Sequence, residues 1–174
     1  MSFIKWQEMA LLAACVCILA MPGMATTVTV GPATIPAAGA SVDVTVVADS
    51  FPYGLSGYIM NASVADPSVA EITGVAFPAW ASFKLNSPVP AGEVSLRASD
   101  LSLGVSAGAA NVTLVTLTIR GKAAGTTVLD LRVRQMDPDG ARDPIIPTVV
   151  PGTISVGGVV PTATPTPTPT ATPT

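Results

Sequence analysis

The sequence predicts an all-β chain, an antiparallel β-sandwich of jelly-roll or immunoglobulin-like type with about eight or nine strands. Three observations predict it. Apolar residues recur at every second position in short runs, the mark of strands with one wet and one dry face. Gly, Pro and Asp clusters punctuate those runs. No run is followed by a ten-residue helical pattern, so βαβ units are not expected.

The strands are read in order. Thr27 to Val30 opens the series, and Val42, Val44 and Val46 alternate with Asp43 and Thr45. Tyr58, Met60, Ala62 and Val64 face one way while Asn61 and Ser63 face the other. Val69 to Val75 forms a shorter run, followed by Val94, Leu96 and Ala98 alternating with Glu93, Ser95 and Arg97. Val115, Leu117 and Ile119 alternate with Thr116, Thr118 and Arg120. Leu129, Leu131 and Val133 then alternate with Asp130, Arg132 and Arg134, and Thr153 to Val156 closes the series. The predicted core takes Val44, Val46, Tyr58, Met60, Leu96, Val115, Leu117, Ile119, Leu129, Leu131 and Val133.

Three segments organise the 174 residues. Residues 1–25 read as a signal peptide, a signal helix with Lys5 at its start, an apolar run from Met9 to Met21, and small residues Gly23 and Ala25 at the cleavage positions. That run is short for a bilayer span, so membrane contact is expected only if the helix is retained. Leu12-Ala13-Ala14-Cys15 superficially matches a lipoprotein box, but the apolar run continues past it. Cleavage after Ala25 would leave an extracellular, cell-surface protein without cysteine, since Cys15 and Cys17 both precede it. Residues 26–160 are the sandwich. Residues 161–174 are a disordered Thr-Pro-rich stalk or linker, held extended by proline, either O-glycosylated or bare.

Composition excludes several functions. Net charge is −3, and no basic cluster exceeds Arg132-Val133-Arg134, so nucleic acid is not a partner. The chain has no histidine, which removes Ser-His and Cys-His nucleophile systems and imidazole metal sites. Its carboxylates fall mostly on outward strand positions or in turns. The chain is therefore read as no enzyme.

Candidate sites are few. Asp137, Asp139 and Asp143 surround Gly140 and offer oxygens to a calcium ion, the one cofactor considered; the other reading of this stretch is an ordinary Asp-Gly turn. Asn61-Ala62-Ser63 and Asn111-Val112-Thr113 are glycosylation sequons, with Asn61 on the polar side of its strand and Asn111 expected just before one. Tyr53, Trp80 and Phe83 are the aromatic candidates for stacking on a sugar. For Trp80 the competing reading is a core plug between the sheets.

Gly54-Leu-Ser-Gly-Tyr58, followed by a strand and Asp66-Pro-Ser-Val-Ala-Glu-Ile72, resembles the early signature of cohesin-type domains. The stretch Val115 to Leu131, with Ala124-Gly125-Thr126 between its two strands, is similar to the later hairpin of that family. The resemblance covers about residues 27 to 156. It places the chain beside the β-sandwich superfamily of carbohydrate-binding modules, where similar domains with Thr-Pro tails occur in surface proteins of methanogenic archaea. It implies a non-catalytic recognition module outside the cell, with a polysaccharide or a surface protein as ligand. Cohesins bind a calcium-loaded dockerin through one sheet face, but that face has no residue-by-residue match here, so no dockerin is assigned. The alternative is a structural surface-layer or adhesion module with no small ligand.

Overall fold

The computed structural model describes residues 25–157; the predicted signal helix and Thr-Pro tail lie outside them. The described residues contain eleven strands and no helix: β1 (Thr27–Val30), β2 (Ala33–Ile35), β3 (Ser41–Phe51), β4 (Gly57–Val64), β5 (Ala70–Ala76), β6 (Phe83–Asn86), β7 (Glu93–Ser99), β8 (Ala109–Gly121), β9 (Gly125–Asp137), β10 (Thr148–Val150) and β11 (Gly152–Val156). They form a five-stranded sheet, β10-β1-β3-β8-β5, and a six-stranded sheet, β2-β11-β9-β4-β7-β6. The two sheets pack face to face.

The strand count exceeds the expected eight or nine because β6 and two short strands, β2 and β10, join the expected runs. At Gly31-Pro32 and at Pro151 the ladder loses a donor, and the chain crosses from one sheet to the other. Both crossings occur side by side. As a result β1 pairs with β10, and β2 with β11, in parallel, whereas the remaining pairs are antiparallel.

The period-two reading sets the core. Val44, Val46, Tyr58, Met60, Leu96, Val115, Leu117, Ile119, Leu129 and Leu131 are buried between the sheets, and Val133 packs against them partly covered. Phe51, Leu55, Leu114, Met136 and Ile154 belong to the same core and are fully buried. Alternation fails where bulges intervene. Between Ile59 and Met60 the pairing with β9 slips, so that Met60 opposes Val133 while Ile59 opposes Gln135. Arg134 is the extra residue; past it the phase reverses, which turns Met136 into the core. A second slip, between Val46 and Val47, leaves Leu114 without an opposite partner on β3.

Candidate functional site

The six-stranded sheet has one face in the core and one in solvent. The register of β9, β4, β7 and β6 arranges the outer side chains in rows. Nearest one end of the sandwich, Asp137, Gly57, Ser99 and Phe83 lie abreast. The next row is Gln135, Ile59, Arg97 and Leu85, then Arg132, Asn61 and Ser95, then Asp130, Ser63 and Glu93. Arg97, Arg132 and Arg134 are all exposed and stand on neighbouring rows, the bulge leaving Arg134 beside Gln135.

Phe83 and Leu85 are each 54% exposed on β6, the outermost strand, and flank Arg97. Of the shallow hollows on this face, two reach Ile59. One of about 340 Å³ is lined by Ile59, Phe83, Arg97, Gln135 and Asp137 among others. The second, about 380 Å³, lies between Ile59, Ser95, Arg97, Arg134 and Gln135. Among the described residues the ion pairs are Arg120 and Lys122 with Glu71, on the other sheet, so none of the three face arginines is in direct ion-pair contact with a carboxylate. The face thus presents three guanidinium groups without direct ion-pair partners beside an apolar strip, with Asp130, Asp137 and Glu93 on its outer rows. Such groups form bidentate bonds to carboxylates, and the strip supplies area to bury.

The aromatic candidates do not share a surface. Phe83 belongs to the face just described. Tyr53 stands on the β3–β4 loop with the Arg142 guanidinium 4.1 Å above its ring. Trp80 turns inward: its Nε1 donates to the Thr113 carbonyl (2.9 Å) and its ring meets Tyr58 edge-on at 6.1 Å. It is partly buried against the core, the arrangement of the plug rather than of a stacking platform.

Among the described residues no group of three or more His, Cys, Asp or Glu side chains is arranged to hold a metal ion. Asp137 accepts a hydrogen bond from Gln135 Nε2, Asp139 abuts Gly54, and Asp143 lines a cleft with Tyr53 and Ile146. The three carboxylates point to three different neighbours. Asn61 lies on the outer face, its Nδ2 donating to Glu93 Oε1 (2.6 Å) while its Oδ1 has no partner. Asn111 is exposed, but it sits inside β8 rather than before a strand, with φ 52°. Asparagine tolerates that left-handed backbone better than most residues.

The face arginines were individually visible in the sequence but not as a group. Arg97 and Arg132 lie on strands far apart in the chain, and β4 brings them onto one surface.

The architecture is that of a two-sheet jelly-roll sandwich, and comparison with solved structures specifies it further. The chain is similar to the seventh ScaB type I cohesin from Pseudobacteroides cellulosolvens, with a TM-score of 0.65 and 17% identity, over 79% of this chain and 95% of that one. It is similar also to the non-cellulosomal cohesin from the archaeon Archaeoglobus fulgidus, with a TM-score of 0.59 and 20% identity, over 76% and 91% of the two chains. A third match is to a chain of the Coh-OlpA-Doc918 complex, a type I cohesin–dockerin complex from Clostridium thermocellum, with a TM-score of 0.63 and 11% identity over 76% and 99%. No protein-family model matches the sequence, and no curated protein does. The fold is a cohesin-like β-sandwich.

Proposed function

We propose that this chain is a non-catalytic recognition module, exported from the cell, that docks a partner protein on the outer face of β9, β4, β7 and β6. The observation that carries the reading is the juxtaposition of Arg97, Arg132 and Arg134, without carboxylate partners, with Ile59, Phe83 and Leu85. Exposed arginines beside aromatic and aliphatic side chains are the composition of interface hot spots. Several of the similar solved structures are cohesins in complex with dockerins, which supports a protein ligand. A polysaccharide is less well served, because a sugar-stacking strip needs aligned rings and Phe83 stands on this face without Tyr53 or Trp80.

The test is a photo-crosslinking amino acid at position 59 of the full chain in the producing cells, with the same label at Ala123 as control. The expected result is a discrete protein adduct at position 59, absent at position 123 and abolished by Arg97→Glu with Arg132→Glu. Equal crosslinking at both positions, or adducts indifferent to the arginine changes, would overturn the reading. A glycan-array signal that those changes leave intact would favour the carbohydrate alternative instead.

A further inference from the structure

The loops at the two ends of the sandwich differ in kind. At one end gather the β3–β4, β5–β6, β7–β8 and β9–β10 loops. Backbone bonds join them: Leu55 N–H to the Val105 carbonyl (3.0 Å), Asp100 N–H to Ser56 (2.8 Å) and Ser56 N–H to Asp137 (2.9 Å). The Ser82 hydroxyl accepts from Leu101 N–H (3.3 Å). Leu101 is 77%, Leu103 67% and Ile146 89% exposed on these loops, and Tyr53 is exposed beside them. At the opposite end, the turns at 36–40, 65–69, 87–92 and 122–124 carry none of the large exposed apolar side chains.

The leucines are held out deliberately. Asp100 is buried, and its carboxylate accepts from Ser102 N–H (3.0 Å) and Val105 N–H (2.7 Å), closing the loop beneath them. Leu103 itself is in the left-handed region, φ 56°, a conformation leucine adopts only when its surroundings impose it. A loop fixed in this way cannot fold its leucines back onto the core.

We propose that this end of the sandwich rests on a lipid surface, with Leu101, Leu103 and Ile146 entering the interfacial region of a zwitterionic bilayer. The path of the chain favours lipid over another protein. Ala25 lines a cleft at this same end with Tyr53, Ile145 and Ile146. Upstream of it the apolar run ends at Met21. Four residue steps span at most about 14 Å, so wherever the signal helix is retained, a bilayer that receives the run meets this end of the sandwich first. Charge selects the lipid. The β9–β10 loop offers one cation, Arg142, which stacks on Tyr53 among Asp139 and Asp143, and so gives no pull toward anionic headgroups. Apolar insertion is what remains. The partner-docking proposal rests on different side chains, those of the outer face of β9, β4, β7 and β6, so each proposal is tested by its own variants.

The test uses the full chain with phosphatidylcholine vesicles, read by hydrogen exchange. Amides of residues 101–105 and 145–146 should exchange about tenfold more slowly with vesicles, while those of 122–124 keep their rate. Leu101→Ser with Leu103→Ser and Ile146→Ser should lose that protection even where the apolar run still carries the protein to the vesicle. Unchanged loop exchange in the wild-type chain would overturn the proposal. So would protection that rises with protein concentration without lipid, which would assign this end to a second copy. Stronger protection by phosphatidylglycerol vesicles than by phosphatidylcholine would also refute it.

Discussion

Tyr58 and Trp80 meet edge to face, ring centroids 6.1 Å apart, and donate to consecutive carbonyls of β8. The Tyr58 hydroxyl takes Leu114 (2.7 Å) and the Trp80 indole takes Thr113 (2.9 Å). Leu114 is the residue the bulge leaves without an opposite partner, so a side chain from the other sheet satisfies its carbonyl. Burial pushes the Tyr58 phenol well above the usual tyrosine range, which keeps it a donor at any ordinary pH.

Tyr58→Phe should therefore cost about 1–3 kcal/mol, the penalty of orphaning a buried carbonyl. Trp80→Phe should cost a similar amount, and the double variant less than the sum, because the rings touch. Urea unfolding of the four proteins measures the coupling; strict additivity would show that the two rings act separately.

Leu117→Ala should cost about 2–5 kcal/mol, since Leu117 is fully buried. Its neighbour Thr118 faces outward, and its hydroxyl donates to Asp43 Oδ1 (2.7 Å) in solvent. Thr118→Ala should lose about 0.5 kcal/mol. Equal shifts in melting midpoint would mean that the facing of β8 is wrong.

Gly54 has φ +79°, and a Cβ there would lie 2.9 Å from the Val105 carbonyl and against the Asp139 carboxylate. Gly54→Ala should destabilise by more than about 1 kcal/mol. It should also raise exchange in residues 100–105, because the two loops separate together.

The chain has no histidine, so unfolding free energy should be flat between about pH 5.5 and 8. Burial pushes the Asp100 carboxyl up, but the N–H groups of Val105, Gly104 and Ser102 outweigh it and hold it below the usual carboxylate range. A depressed folded-state pKa gives stability that is complete above about pH 4 and is lost as pH falls from there through the lower folded value. Denaturation midpoints between pH 2 and 6 should show that loss, and Asp100→Asn should shrink it. A midpoint insensitive to acid would exclude the Asp100 contribution.

The alternation in β4, β7, β8 and β9 was legible because each has one dry face and residues enough to display it. β6 was not: Phe83, Lys84 and Leu85 are all exposed and no period separates them. The short β2 and β10 carry too few residues for a pattern, and their place depends on where Pro32 and Pro151 divert the chain. For the site, Phe83 was picked out by type alone. The arginines and Ile59 became a group only through register, and the outward turn of Gln135 depends on a bulge that no local residue announces.

The parallel pairing of the terminal strands has a mechanical consequence. β1 begins at the end of the sandwich where Thr27 lies beside Thr148, and β11 finishes at the other end, where Val156 lies beside Ile35. Tension applied across the described segment, from Thr27 to Val156, therefore runs along these strands and at right angles to their hydrogen bonds. Each ladder is loaded in shear, so its bonds share the force and must fail together rather than peel one at a time. A sandwich of this build extends under load by whole-domain rupture, and below that threshold it transmits tension as a stiff link.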